Sequence, residues 1–394
     1  MAMISSSRES LSSSNDAKQG VVAVFCGHMI DREGRSVARF PKTHEASVSD
    51  RIKAWLRRNP VRLAFSGAAC GSDILFLEAA LEAGVEIHLL LPFAVEDFTR
   101  TSVAPGGSDW IGRFQRILSC AKTVTIVNDE VADVEGSVFD FANRMVAAKG
   151  VLEADALAMP VRGLTVWNGL RGDGGGGTAD AVSCWLKARI PVDVIHPMNP
   201  ANDGPARGEE SIPAVPFPTI HSALPNGARG EVAFLAHFHF AGYHKFPEKL
   251  FPVFQLAVLD PMASFLAASD HRPTGRYGFG GDYVIAFEGV RPALEAASGI
   301  LDAMMRSLAE SGSGIAPPSV CLHVGPAQFM VNPVLNQYCH EGGVLLHAAR
   351  VARQLDPGKL FCTEPFAALS SLEAVRHFRF VSTGAAKVFV VLQS

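Results

Sequence analysis

Two glycine-rich runs and one histidine–aspartate set hold the residue types that this 394-residue chain could use for chemistry. Ala64-Phe65-Ser66-Gly67-Ala68-Ala69-Cys70-Gly71-Ser72-Asp73 leads from an apolar run through small residues into a helical pattern. Small residues let a ligand come close to the backbone, and a helix start offers unpaired N–H groups at the positive end of a dipole, which suits phosphate. Gly67, Gly71 and Ser72 are the candidate binding positions of this turn. Asp173-Gly174-Gly175-Gly176-Gly177-Thr178 repeats the arrangement between the strand pattern Leu164–Trp167 and the helix pattern that opens at Asp180. Gly174, Gly175, Gly176, Gly177 and Thr178 are candidates here, with Arg171 as the nearby cation. Neither run is a Walker A loop, because no Gly-Lys-Ser/Thr follows. The competing explanation is two tight strand–helix turns that need positive φ. Two such turns at the C-terminal edge of one parallel sheet, where open α/β sheets take their ligands, favour a nucleotide-type site.

In the second half, His237 and His239 share a face of one strand by their i, i+2 spacing. With His244 they are ligand types for Zn²⁺ or Mn²⁺, or else partly buried histidines bonded to backbone. Arg100 and Arg113 could reach a phosphate or serve as solvated surface charges, and Trp110 and Trp167 could stack on a base or simply pack. Glu78 and Glu82 read as a solvated helix edge, and His323 as a packed residue of its sheet.

The elements that must position these residues fall into two sets. Before residue 197, strand patterns at Val21–Cys26, Val61–Phe65, Val85–Leu91, Thr123–Val127, Leu164–Trp167 and Val192–Ile195 alternate with helix patterns at Val48–Arg58, Asp73–Ala83 and Asp180–Arg189. Such alternation predicts a parallel sheet covered on both faces. Residues 197–230 are punctuated by Pro197, Pro200, Pro205, Pro213, Pro216, Pro218 and Pro225 and read as an extended linker. Beyond it, strands at Glu231–Phe240, Tyr283–Glu288, Ser319–Val324, Leu360–Thr363, Phe378–Val381 and Lys387–Leu392 mix with helices at Pro247–Ala268, Pro292–Glu310, Val344–Ala352 and Phe366–Leu372. That order predicts an α+β sandwich.

Composition narrows the function classes. A chain that is 48% hydrophobic and 19% charged is not a largely disordered one. The formal net charge of -4 gives no basic excess for nucleic acid. No uninterrupted apolar run reaches the length of a membrane span. The serine-rich residues 1–20 lack the apolar core of a secretory signal and read as a disordered tail. Seven scattered cysteines with no CxxC pair fit a reduced, cytoplasmic setting.

Residues 21–196 resemble the SLOG superfamily of Rossmann-like domains, whose members bind or process nucleotide-derived ligands. The matching stretches are Phe65 to Asp73 with its helix, the strand ending Leu90-Leu91-Pro92-Phe93, and Gly174-Gly175-Gly176-Gly177-Thr178. The hydrolase branch of that superfamily has Pro-Gly-Gly-x-Gly-Thr followed by paired glutamates. Here Asp173 replaces the proline and Ala179-Asp180 follows the threonine, so the resemblance implies binding more than hydrolysis.

Residues 231–394 resemble the catalytic domain of class III adenylate/guanylate cyclases. The matches come in order: Phe234-Leu235-Ala236 through Gly242-Tyr243-His244-Lys245-Phe246, then Gly280-Gly281-Asp282-Tyr283-Val284-Ile285-Ala286-Phe287, then Leu322-His323-Val324-Gly325-Pro326, then Gly342-Gly343, His347-Ala348-Ala349-Arg350 and Pro357-Gly358. The resemblance implies a ferredoxin-like α+β domain, a homodimer with its sites between chains, and Mg²⁺ or Mn²⁺ held by two aspartates. This sequence departs from that pattern. His239 stands at the first metal position, and Gly281 stands where the second aspartate belongs, with Asp282 one residue late. A one-residue slip on a strand turns a side chain to the other face, whereas a shortened hairpin loop would bring Asp282 back. Arg350 matches the transition-state arginine, but Leu346 replaces the asparagine four residues earlier and is expected to pack as a core residue.

The chain is therefore expected to be a nucleotide-signalling protein with a SLOG-like binding half and a degenerate cyclase-like half. The alternative is an active divergent cyclase using Asp282 and Arg350, with Asp282 and His239 on Mg²⁺ or Mn²⁺; without activity no cofactor is expected. A third reading makes the first half a nucleotide hydrolase with Asp73 or Asp180 as acid–base. Expected partners are a nucleotide-type small molecule and a second copy of the chain, with neither nucleic acid nor membrane.

Overall fold

The computed structural model describes residues 20–128, 135–171, 176–206, 228–334, 336–375, 377–384 and 387–393. The tail expected at residues 1–20 lies, except for Gly20, outside them, as do residues 207–227 of the proline-rich segment.

In the first half the elements run β1 (Val21–Gly27), α1 (Glu45–Arg58), β2 (Val61–Ser66), α2 (Ser72–Glu82), β3 (Glu86–Leu91), α3 (Val95–Phe98), α4 (Ser108–Cys120), β4 (Thr123–Ile126), α5 (Glu135–Leu157), β5 (Val161–Val166), α6 (Thr178–Lys187), β6 (Val192–Ile195) and β7 (Gly204–Pro205). They build a 7-stranded sheet in the order β4-β3-β2-β1-β5-β6-β7. All neighbours from β4 to β6 are parallel and β7 adds antiparallel. Strand order reverses between β1 and β5, and the C-terminal ends of those two strands mark the switch point where such sheets accept ligands. β7 lies inside the proline-rich segment read as a linker, so the start of that segment belongs to the first sheet.

The second half continues with β8 (Arg229–His239), α7 (Phe251–Phe254), α8 (Asp260–Ala268), β9 (Gly275–Phe279), β10 (Asp282–Phe287), α9 (Val290–Ser311), β11 (Ser319–Asn332), β12 (Gln337–Glu341), α10 (Gly343–Ala352), β13 (Leu360–Thr363), α11 (Glu364–Leu372), β14 (Phe378–Ser382) and β15 (Val388–Gln393). Its 8-stranded sheet runs β14-β15-β13-β11-β8-β10-β9, with β12 paired to β11 beside that path. Both faces of β8 are buried. Phe234, Ala236 and Phe238 join the large core with α8, α9 and α11. Ala233 and Leu235 pack with Val284 and Ala286 beneath Val344 and Ala348 of α10.

The run 248–268, expected as one helix, is segmented. A 3-10 turn, α7, a π-type turn at Gln255–Leu259 and α8 follow one another. Pro252 and Pro261 sit in the first turns of α7 and α8, where a missing N–H is harmless. In the middle of a continuous helix each would break an i→i−4 bond. By length and composition this run could cross a membrane, yet its Phe254, Val258, Met262 and Leu266 are buried in the core.

Candidate functional site

The first glycine turn is closed by the chain itself. Gly71 has φ +113, and a Cβ there would stand 2.3 Å from the Ile30 nitrogen. Only glycine lets the turn meet the loop after β1 so closely. Three of the turn's N–H groups have partners: Ala69 donates to Asp73 Oδ2 at 3.3 Å, Cys70 to the Ser102 carbonyl at 2.9 Å, and Ser72 to the His28 carbonyl at 3.1 Å. Ser72 Oγ also donates to the His28 carbonyl at 2.8 Å. A Cβ at Gly67 would meet Asp73 Oδ2 at 3.0 Å. Gly71 and Ser72 thus clasp β1's exit loop while Gly67 lies against Asp73, and the clasp takes up some of the donors a phosphate would use.

Asp73 is the centre of that clasp. Its carboxyl also accepts the Gly27 N–H at 3.1 Å. Burial pushes its pKa up to about 7 against the downward pull of the Ala69 and Gly27 N–H groups. At the end of β1, burial pushes His28 down to about 4, so its ring is neutral, with Nε2 2.9 Å from Asn168 Oδ1.

Of the second turn, Gly174 and Gly175 lie outside the described residues. Gly176, Gly177 and Thr178 lead into α6 at the switch-point edge. The Gly176 N–H donates to Asp180 at 2.9 Å, and the Gly176 carbonyl accepts from Asn143 Nδ2 of α5 at 2.5 Å. Asp180 therefore caps this turn. Arg171 is exposed, and Trp167 sends its indole N–H to the Leu170 carbonyl at 2.8 Å.

In the second half the structure brings Asp282 and His239 together. Gly280 and Gly281, with φ +55 and +87, make a tight hairpin turn of the kind that needs left-handed backbone twice in succession. Asp282 is then the register partner of His239, and Val284 that of His237. The aspartate that comes one residue late thus faces the histidines. His237 Nε2 and His239 Nδ1 each lie 2.8 Å from Asp282 Oδ1. Arg353, just past α10, donates to Oδ2 at 3.1 Å. Burial alone would raise the carboxyl pKa, but the bonds from His237, His239 and Arg353 outweigh it and hold the group below its usual range. Burial depresses His237 against the upward pull of Asp282, and its Nε2 carries the proton that the acceptor-only carboxylate takes. Among the described residues its buried Nδ1 has no hydrogen-bond partner.

Arg350 is exposed on α10. Leu346, expected in the core, is 67% exposed and shares that helix face four residues earlier. Arg353 escaped the sequence reading, although its i+3 spacing from Arg350 was the signal. His244 sits exposed on the Tyr243–Lys245 turn. His323 is buried, with Nδ1 2.8 Å from Thr363 Oγ1. Arg113 is bound to Glu78 at 2.9 and 2.6 Å and to Glu45 at 2.7 Å, and lies over the Trp110 ring. It is a structural hub, and Glu78 is its partner rather than a solvated edge. A further relay links Tyr277 to His340 Nδ1 at 2.6 Å and His340 Nε2 to Glu231 at 2.5 Å; it latches β9 to β12.

A pair of hard divalent ions needs carboxylate oxygens with free lone pairs. Here the single carboxylate holds two imidazoles on one oxygen and a guanidinium on the other. Among the described residues no group of three or more His, Cys, Asp or Glu side chains is arranged to hold a metal ion. The residues present do not fit two Mg²⁺ or Mn²⁺ ions, nor Zn²⁺ with His244.

No family model and no curated protein matches the chain. Solved structures similar to it include nucleotide cyclase domains. They include the guanylyl cyclase domain of the RhoGC fusion protein from the aquatic fungus Blastocladiella emersonii, at 12% identity and TM-score 0.34 over 42% of this chain and 97% of that one. The adenylyl cyclase CyaB from P. aeruginosa is similar at 13% identity and TM-score 0.33, over 42% and 96%. The adenylate/guanylate cyclase/hydrolase from Silicibacter pomeroyi is similar at 16% identity and TM-score 0.31, over 42% and 96%.

Proposed function

We propose that this chain is a nucleotide-signalling protein. Residues 21–196 form a SLOG-like half that binds a nucleotide-derived ligand, and residues 231–394 form a cyclase-like half without catalysis. The observation that carries the reading is the state of Asp282. Protein cations and imidazole N–H groups fill both of its oxygens, so the one acidic side chain of that cluster holds the fold together. An efficient phosphoryl-transfer site needs charge stabilisation aimed at the reacting phosphate, and loss of one such donor costs about 10²–10³ in rate. Leu346 leaves Arg350 without the donor that the resemblance would place beside it.

For the first half, support comes from the switch point between β1 and β5 and from the Gly176–Thr178 turn, which Arg171 shortly precedes in the sequence. Arg171 would meet the ligand's negative charge and the turn's backbone would follow its phosphate, without a metal. Exposed Leu346 and Arg350 on α10 support a homodimer through the second half.

Titration calorimetry of the full chain with adenine and guanine nucleotides in EDTA tests the reading. Binding that survives EDTA and weakens in Arg171→Ala is expected. Absence of binding by every nucleotide, or binding that needs Mg²⁺ and disappears in Arg350→Ala, overturns it.

A further inference from the structure

We infer that α5 makes the two halves one cooperative unit, so that the order of the Gly176–Thr178 turn and the seating of α11 rise and fall together. One hydrophobic core runs through both halves: Val22, Val24 and Phe65 of the first sheet belong to the same cluster as Phe234, Phe238 and Phe287 of the second, while the other face of the first sheet has a core of its own. The helix between them is α5, which packs on β1, β2 and α6 on one side and on α11, β8 and β11 on the other. From Val138 to Ala154 none of its residues is exposed.

Polar contacts pin α5 to both halves. Asn143 holds the Gly176 carbonyl at 2.5 Å. Lys149, six residues or about 9 Å further along the helix, pairs with Glu364. Lys149 is only 7% exposed, so separation would leave a charge buried without its partner, which is strongly unfavourable. Glu364 is also bound by Lys387 at 3.3 Å. It opens α11 directly after Thr363, whose hydroxyl holds His323 of β11. At the other end of α11, Glu373 lies within electrostatic reach of Arg144, which α5 bonds to Asp140 at 2.7 Å. A ligand that orders the glycine turn must then stabilise the second half as well, by the reciprocity of linked equilibria. This inference holds whatever that ligand is.

The chain carries its own probes: Trp55, Trp110, Trp167 and Trp185 all lie in the first half, and Tyr243, Tyr277, Tyr283 and Tyr338 all in the second. Urea unfolding of the full chain, followed by tryptophan fluorescence and by tyrosine second-derivative absorbance, should give one coincident transition. Asn143→Ala should lower both midpoints equally, and so should Glu364→Gln from the other side. In Asn143→Ala, amide exchange in α11 should quicken about fivefold or more. Two separate wild-type transitions, or a variant that shifts only its own half's signal and leaves α11 exchange unchanged, overturn the inference. Because the wild-type comparison needs no substitution, a variant that fails to fold does not remove the test.

Discussion

Asp282 and His239 face each other as register partners across β8 and β10, with the imidazole Nδ1 2.8 Å from the carboxylate Oδ1. The aspartate is buried, so it works as the acceptor for His237, His239 and Arg353 rather than as an open ligand. Asp282→Ala should therefore cost about 2–4 kcal/mol, because buried donors lose their acceptor. Arg353→Ala, at a side chain 56% exposed, should cost no more than about 1 kcal/mol. Urea midpoints read by tyrosine absorbance check the ranking. An Asp282→Ala protein as stable as wild type would show that the carboxylate is not a clasp.

Gly71→Ala should destabilise the first half by about 2 kcal/mol or more, since the residue combines φ +113 with a contact of 2.3 Å. Gly84→Ala is the control. Its φ is +73 but a Cβ meets nothing within 4 Å, so the cost should stay near about 1 kcal/mol. Thermal unfolding by tryptophan fluorescence distinguishes the two.

Arg113→Ala should lower stability by roughly 1–3 kcal/mol through loss of its half-buried Glu78 and Glu45 pairs. Nucleotide affinity measured by calorimetry should stay within about twofold, because Arg113 is bound into the α2–α4 contact. A tenfold loss of affinity with normal stability would return Arg113 to the binding site.

Stability should fall as pH drops below about 6.5. Burial depresses His28 to about 4, His323 to about 3 and His237 in the same direction. For each, the unfolded chain takes up a proton before the folded one does. The stability present above the unfolded pKa is thus lost progressively toward the folded values, by about 1.4 kcal/mol per unit per group. Asp73 acts in the opposite sense. Its folded pKa is raised to about 7, so its burial is least costly when it is protonated, and it offsets part of the loss between about pH 4 and 7. Burial also raises Asp140, Asp155 and Glu373, which act with Asp73, whereas His88 is depressed and Glu231 and Asp282 are held low, which act with the imidazoles; the large depressions of His28 and His323 set the sign. Urea midpoints at pH 7, 6 and 5 should decline, and a rise toward pH 5 would contradict the assignment.

Much of this was legible from residue patterns, for reasons the structure makes plain. Short apolar runs closed by glycine gave the strands around the switch point, whereas Gly280-Gly281 left both faces open to Asp282 until the hairpin register put it opposite His239. α5 escaped because helices find themselves by amphipathic spacing, and this one is buried by the first sheet on one side and α11 on the other. β9 and β12 escaped because they are short and largely exposed. At the sites, residue types located the turns and the histidine pair but not their occupancy. That His28 would cap the first turn, or that Arg353 rather than Arg350 would reach Asp282, depends on contacts between segments far apart in sequence.

The central claim is that the second half does not turn over nucleotide. The direct measurement is a cyclase assay on the purified full chain with ATP, GTP, CTP and UTP, each with Mg²⁺ and with Mn²⁺, beside Arg350→Ala. The account predicts no cyclic nucleotide above background in any combination. Product formed by the wild-type chain and absent from Arg350→Ala would contradict it.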